Sequence, residues 1–210
     1  MDRQGYLALV LHTHLPFVRH PEHPSFLEER WLFEAITETY LPLLERFQRL
    51  GNDGVPFRIT MSFTPTLLAM LADPLLQARY VHHLDQLIEL SAKEIQRTRW
   101  LPPFHRLALF YHHRFTAAKH RYVDECRRNL IQPFRELADG GCLEPIASCA
   151  THGYLPLMDT QRAAVRAQIH LGVQAFERAF GRPPVGFGFR SAATIPGTTS
   201  TSKNAACATS

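Results

Sequence analysis

A chain of 210 residues, 45% hydrophobic and 20% charged, has the length and composition of one soluble globular domain with a sizeable core. Its 23 basic and 19 acidic residues leave a formal charge of +4 with no basic block, which argues against a nucleic-acid partner. No apolar run approaches the roughly 18 residues of a membrane span, so no membrane partner is expected either.

In chain order, residues 6–11 (Tyr-Leu-Ala-Leu-Val-Leu) form a short continuous apolar run, the pattern of a parallel strand covered on both faces. The run enters His12-Thr13-His14-Leu15-Pro16, and the Pro- and His-rich stretch to Pro24 reads as loop. Over about 28–50, Leu32, Ile36, Tyr40, Leu43, Phe47 and Leu50 recur at steps of three and four. That spacing predicts one amphipathic helix, kinked at Pro42 and ended by Gly51. A second strand is predicted over 57–63, leading into Thr64-Pro65 and a short helix. Helical patterns follow at about 74–97 and 106–138, the second with Leu107, Phe110, Phe115, Ala118, Tyr122, Cys126 and Leu130 on its buried face. Gly140-Gly141 breaks the chain before a third strand at 143–147, which runs into Thr151-His152-Gly153-Tyr154. A helix over about 161–180 and the segment Gly181-Arg182-Pro183-Pro184 then introduce a fourth strand at Val185.

Strand, long helical excursion, strand, helix, strand is the order of a parallel α/β fold. The chemically interesting clusters fall at or just after the C-terminal ends of the predicted strands, the end on which parallel barrels build their sites. His12 and His14, two apart at a strand end, point to one face; the spacing alone fits an ordinary hydrogen-bonded pair or half of a metal site. His152 buttresses a turn or touches a ligand. Trp31, Trp100 and Tyr154 are aromatic surfaces on which a ring with an apolar face could stack. Glu144, inside a strand, needs a partner if buried and reads as structural. His82-His83 and His112-His113 sit in helical stretches, where adjacent residues face different directions, and read as solvated or partly buried. The four cysteines, Cys126, Cys142, Cys149 and Cys207, include no C-x-x-C pair, and Cys142 and Cys149 are too far apart along an extended strand for an easy disulfide. With no cleavable signal pattern after Met1, a reduced, cytoplasmic protein is expected.

Three segments together resemble motifs of glycoside hydrolase family 57. They are Leu9-Val10-Leu11-His12-Thr13-His14-Leu15-Pro16-Phe17 with Glu34-Ala35-Ile36-Thr37-Glu38-Thr39-Tyr40-Leu41-Pro42-Leu43; Ile59-Thr60-Met61-Ser62-Phe63-Thr64-Pro65; and Leu143-Glu144-Pro145-Ile146-Ala147 running on through Ala150-Thr151-His152-Gly153-Tyr154. The resemblance spans residues 6 to about 187, and the E-x-x-x-E-T-Y-L-P-L helix and A-T-H-G-Y ending are similar to the family's branching enzymes rather than its amylases. It implies an α/β fold of the incomplete (β/α)7 barrel kind (TIM-barrel-like, glycoside hydrolase/deacetylase type) with long helical insertions. It also implies α-glucan partners such as glycogen or amylose-like chains, no metal and no other cofactor. His12, His14 and His152 would contact sugar, with Trp31 a further substrate-binding candidate. The family's chemistry is a retaining double displacement by a glutamate nucleophile and an aspartate acid/base, their carboxyls about 5–5.5 Å apart. A branching enzyme passes the glucan segment to a 6-hydroxyl instead of to water.

The nucleophile belongs to a Trp-Leu-Pro-Glu motif introduced by Gly-Arg-x-Pro-x-Gly. Gly181-Arg182-Pro183-Pro184-Val185-Gly186-Phe187 supplies the introduction, but Gly188-Phe189-Arg190-Ser191 follows, and no acidic residue occurs after Glu177. Of the 23 residues from Gly188 to Ser210, 14 are Ser, Thr or Ala, an abrupt change of composition. One T inserted between the codons of Phe187 and Gly188 turns glycine's GG into TGG, tryptophan, and the next codons can encode Leu-Pro-Glu-Cys-Gly-Tyr-Tyr-Pro-Gly. The expectation is therefore a barrel portion over 1–187 and an out-of-frame, disordered tail over 188–210. Such a chain holds no catalytic residue and is inactive as written. Two other functions compete: a non-catalytic glucan-binding module, and a metal-dependent polysaccharide deacetylase with His12, His14 and His152 as ligands, though no early Asp-Asp accompanies them.

Overall fold

Parallel strands cannot be joined by hairpins, so each needs a long crossover, and the helical stretches of this chain supply them. The computed structural model describes Gly5 and residues 7–190; Tyr6, Cys207 and all of 191–210 lie outside the described residues. Strands β1 (Val10–Thr13), β2 (Ile59–Phe63), β3 (Leu143–Ser148) and β4 (Phe187–Gly188) form one sheet in the order β1-β2-β3-β4, every pair parallel. Helices α1 (Glu29–Ala35) and α2 (Leu41–Asn52) lie in the first crossover. The second holds α3 (Pro65–Ala72), α4 (Pro74–Arg97), α5 (Pro102–His120) and α6 (Ile131–Asp139), and the third holds α7 (Arg162–Phe180). The chain forms two compact units. Of the described residues, those up to 17, 47–70 and 134–190 form a sheet unit, and 18–46 and 71–133 form a helical unit.

In the sheet unit Phe63 packs on Phe134 and Phe180, at centroid distances of 5.3 and 5.1 Å. A second cluster of Cys149, Leu155, Val165, Ile169 and Val173 takes Met158, Phe187 and Phe189 against it. Burial holds the Cys149 thiol protonated, its pKa pushed up to about 12. Helix α7 ends where Gly181 turns left-handed (φ 68°) and its N–H donates to the Glu177 carbonyl, 2.7 Å. Gly172 lets this helix lie so close to β3 that a methyl group there would run into the Ser148 carbonyl oxygen.

One expectation for the strands needs correction. The first strand is not covered on both faces: β1 is an outer strand of the sheet, Leu7 and Leu9 are exposed, and Val10 is 60% exposed. Glu144 is also exposed, one residue into β3, so it needs no buried partner. Gly188, placed by the sequence at the head of a tail, lies in β4, and Phe189 packs on the core beside it.

The helical unit departs from the sequence reading through two π-turns. Residues 36–40 form the first, and the Leu41 N–H reaches back five residues to the Ile36 carbonyl. The wider turn precedes Pro42, which has no N–H to give, and it advances the buried stripe so that Leu41 and Leu44 are buried where Leu43 was expected. The second π-turn, 121–125, is followed by Arg127 and Arg128 at φ 50° and 63°. It splits the single helix expected over 106–138 into α5 and α6. Residues on either side no longer share a face: Tyr122 and Leu130 are buried, whereas Leu107 and Phe110 are half exposed.

Helix α4 has the predicted bounds because Asp73 caps it, accepting from the Leu76 N–H at 3.0 Å, with Pro74 in the first turn. Arg19 holds the same carboxylate at 2.6 Å. Glu29, 1% exposed, is paired with Arg79, which also donates to the His20 and His23 carbonyls. A buried carboxylate with this partner is tolerated; alone it would not be.

Gly172→Ala is expected to destabilise the fold by about 1–3 kcal/mol in denaturant unfolding, since backbone must move to admit the methyl. Gly51→Ala, in α2 with open space around it, is the control and should be neutral or slightly stabilising.

Candidate functional site

Three of the chain's twelve histidines gather at the C-terminal ends of β1, β2 and β3. On β1, Thr13 is buried, with its hydroxyl donating to the Ser62 carbonyl, so alternation turns His12 and His14 to the opposite face. After β3 the chain turns back through Cys149, whose carbonyl accepts from the His152 N–H at 3.0 Å. His152 itself sits in the left-handed region at φ 52°, a conformation costly for any residue but glycine and one that recurs at functional sites. The three rings converge, with centroids 4.3 Å apart for His14–His152, 4.6 Å for His12–His152 and 6.0 Å for His12–His14. With Phe189 and Arg190 they line a cavity of about 380 Å³.

Each imidazole is tethered through Nδ1 to one hydroxyl oxygen at a strand end. His12 meets Ser62 Oγ at 2.6 Å, His14 meets Thr64 Oγ1 at 3.2 Å, and His152 meets Ser148 Oγ at 3.0 Å. All three pKa values are lowered, first by burial. For His14 the neighbouring His12 and then the Arg190 cation add to this. His152 falls to about 4, through burial, then His14, His12 and Arg190. At neutral pH the cavity therefore presents three uncharged rings beside the Arg190 guanidinium, and among the described residues no carboxylate lines it. Among the described residues, no group of three His, Cys, Asp or Glu side chains is placed to hold a metal ion.

The structure thus brings together three of the four sequence candidates, His12, His14 and His152. Trp31 belongs to the helical unit, 51% exposed on α1. Trp100 is exposed in a turn of that unit beneath the Arg99 guanidinium, and Tyr154 is partly buried before a short 3₁₀ turn. His83 packs on Phe33 at 5.2 Å and His112 meets Ser91 at 3.0 Å, the partly buried roles expected of those pairs. Sequence reasoning missed Phe189 and Arg190, whose one signal was their place just after a Gly- and Pro-introduced strand. It also missed Ser62, Thr64 and Ser148, since a hydroxyl at a strand end is common and unmarked.

The sequence profile of glycosyl hydrolase family 57 matches residues 8–202. The chain belongs to that family. It is 38% identical over 183 residues to a 1,4-alpha-glucan branching enzyme of Thermococcus kodakarensis, covering 87% of this chain and 26% of that enzyme. Among solved structures, the alpha-amylase AmyC from Thermotoga maritima superposes with a TM-score of 0.89 at 39% identity, over 94% of this chain and 38% of that one. The Thermococcus branching enzyme, crystallised in complex with glucose and additives, gives 0.80 at 36% identity over 88% and 32% of the two chains. The family 57 chain described here spans about a quarter of its curated relative's length. Its four parallel strands and helical crossovers are part of the family's (β/α)7-type barrel with long helical insertions. Family membership and the donor geometry do not favour the deacetylase reading.

Because the folded His152 pKa of about 4 lies below its ordinary 6.5, the unfolded state binds a proton between those values and the folded state does not. The contribution is complete above pH 6.5 and is lost as pH falls toward 4. An NMR titration should give His152 a midpoint below 5, and His152→Gln should flatten that acid limb of the stability curve. A midpoint near 6.5 would mean that the ring is solvated.

Proposed function

We propose that the three-histidine cavity is a glucose-unit subsite of an α-glucan branching enzyme, and that the 210-residue chain holds glucan there without cleaving it. The observation that carries this reading is the convergence of three uncharged imidazoles, all within residues 1–187, on one cavity that no described carboxylate lines. Neutral ring nitrogens suit the hydroxyls of a sugar, and in the 210-residue chain Phe189 and Arg190 add an aromatic face and further N–H donors. The substrate class follows from the relatives: one is named a 1,4-alpha-glucan branching enzyme, and its crystal structure holds glucose. Glycogen and amylose-like chains in the cytoplasm are the proposed partners; no described helix is long and apolar enough to cross a membrane. Trp31 is proposed as a further stacking surface for glucan.

Retaining transfer needs a nucleophile and an acid/base about 5–5.5 Å apart. The described acidic residues of the sheet unit are Asp53, Glu136, Asp139, Glu144, Asp159 and Glu177, and none lines the cavity. Residues 1–187 are read as the barrel portion and 188–210 as out of frame. The similarity to AmyC favours hydrolysis as a second reading for the parent activity. The same subsite serves either, because water and a 6-hydroxyl compete only after the shared covalent step.

In native gels containing glycogen, the 210-residue chain should be retarded, and His14→Ala should weaken binding by about three- to tenfold, the worth of one hydrogen bond. Mobility unchanged by glycogen would sink the subsite. The chain should leave amylose–iodine absorbance unchanged. A gene with one T inserted between codons 187 and 188 should yield a product that lowers that absorbance by branching, without a matching rise in reducing ends. A matching rise would point to hydrolysis.

A further inference from the structure

We propose that Ser148 and the Thr64–Thr66 pair are positioning residues that lock His152 and His14 as Nδ1–H tautomers, leaving both Nε2 atoms as bare acceptors that select a ligand offering hydroxyl donors. The argument is a proton count. Ser148 is fully buried, and its single hydroxyl hydrogen is donated to the Gly188 carbonyl at 2.9 Å. A carbonyl only accepts, so that hydrogen is committed, and toward His152 the Ser148 oxygen offers only a lone pair. The 3.0 Å contact between them therefore requires a hydrogen on His152 Nδ1.

The same count runs through a longer relay to His14. Thr66 donates to the Leu15 carbonyl at 3.0 Å, so across its 3.2 Å contact with Thr64 it can only accept. Thr64 has then spent its own hydrogen and keeps two lone pairs. One receives the Leu67 N–H at 3.4 Å; the other receives His14 Nδ1–H at 3.2 Å. His12 is not constrained in this way: its Ser62 partner shows no second hydroxyl contact among those described, so either tautomer satisfies the pair. Lowered basicity, from burial, then the neighbouring imidazoles and then Arg190, keeps both locked rings neutral.

Two neighbouring rings, their centroids 4.3 Å apart, thus present acceptors to one cavity. A ligand must bring two O–H groups to them or leave them unsatisfied, which costs more than a lost contact. Arg190 adds a donor and repels cations, while the two bare Nε2 lone pairs repel the oxygens of an anion, so the selected ligand is a neutral polyol. That it is a glucan rests on the function proposed above; the tautomers themselves do not.

The test is a long-range ¹H–¹⁵N spectrum of the histidine-labelled 210-residue chain at pH 7, with His14→Gln and His152→Gln to assign signals. Both rings should show a pyridine-like Nε2 and a pyrrole-like Nδ1, the reverse of the form free histidine prefers. Thr64→Val should return His14 to a mixture of tautomers and lower glycogen affinity about three- to tenfold, with Thr64→Ser restoring both. Ser148→Ala should do the same to His152; if it does not fold, the unsubstituted spectrum still decides. A pyridine-like Nδ1 on either ring overturns the proposal, even where glycogen binds. Locked tautomers in a chain that ignores glycogen would sustain it and defeat the glucan reading instead.

Discussion

In a parallel ladder the side chains of neighbouring strands fall into rows, and the register of pairing decides which residues share a row. Here His12 pairs across from Ser62, and Thr13 from Phe63. Ser62 in turn pairs with Ile146, and Ser148 with Gly188. A slip of one residue between β1 and β2 would send His12 to the buried face and Thr13 to the cavity. The same register brings the Gly188 carbonyl within reach of Ser148 Oγ, and so fixes where that hydroxyl hydrogen goes. The site is thus a consequence of sheet pairing, completed by the turn that returns His152 to the rings of β1.

That turn has a cost which the site's chemistry explains. A histidine at φ 52° gives up roughly 1–3 kcal/mol of backbone preference. In exchange the ring is carried into a buried position between two other imidazoles. Low polarity penalises protonation of all three, and for His14 and His152 the neighbouring imidazoles and then the Arg190 guanidinium add to the penalty. The result is a cluster that stays uncharged across the neutral range, an environment suited to binding neutral hydroxyls and unsuited to proton transfer near pH 7. A general acid or base in this barrel would need a different kind of side chain, one whose pKa is tuned toward neutrality.

How far the sequence could be read depended on whether the signal was local. Helix α4 was legible to its end residues because its signals, Asp73 followed by Pro74 and an unbroken apolar period, act over one or two turns. His12, His14 and His152 were legible because they sit just past apolar runs in a βα order, where a parallel fold collects its strand ends. The π-turns were not legible, since an extra residue in a turn leaves the composition unchanged while shifting every later side chain by about a quarter-turn. That displaced Leu43 in favour of Leu44 and split the helix drawn over 106–138. Nor did an apolar run distinguish a strand covered on both faces from the outer strand that β1 is, because coverage is a property of neighbours. The hydroxyls of Ser62, Thr64 and Ser148 gain meaning only from what they touch, and Arg190 only from the cavity it faces.

The division between holding and reacting follows from the same geometry. On the proposed reading, three neutral rings tethered to hydroxyls would contribute equally to a bound sugar before and during bond cleavage. Interactions of that kind lower the concentration at which a glucan binds without lowering the barrier it must cross. The barrier falls only when a carboxylate stands within bonding distance of the anomeric carbon and a second one serves the leaving oxygen, and these have to be supplied at other strand ends of the barrel. On the proposed reading, the ends of β1, β2 and β3 form the part of a family 57 site that recognises hydroxyls. Recognition can then persist in a chain from which the reacting carboxylates are missing, because the hydrogen bonds that set the imidazoles are closed among the four strands, α3 and the residues that directly follow β1, β2 and β3.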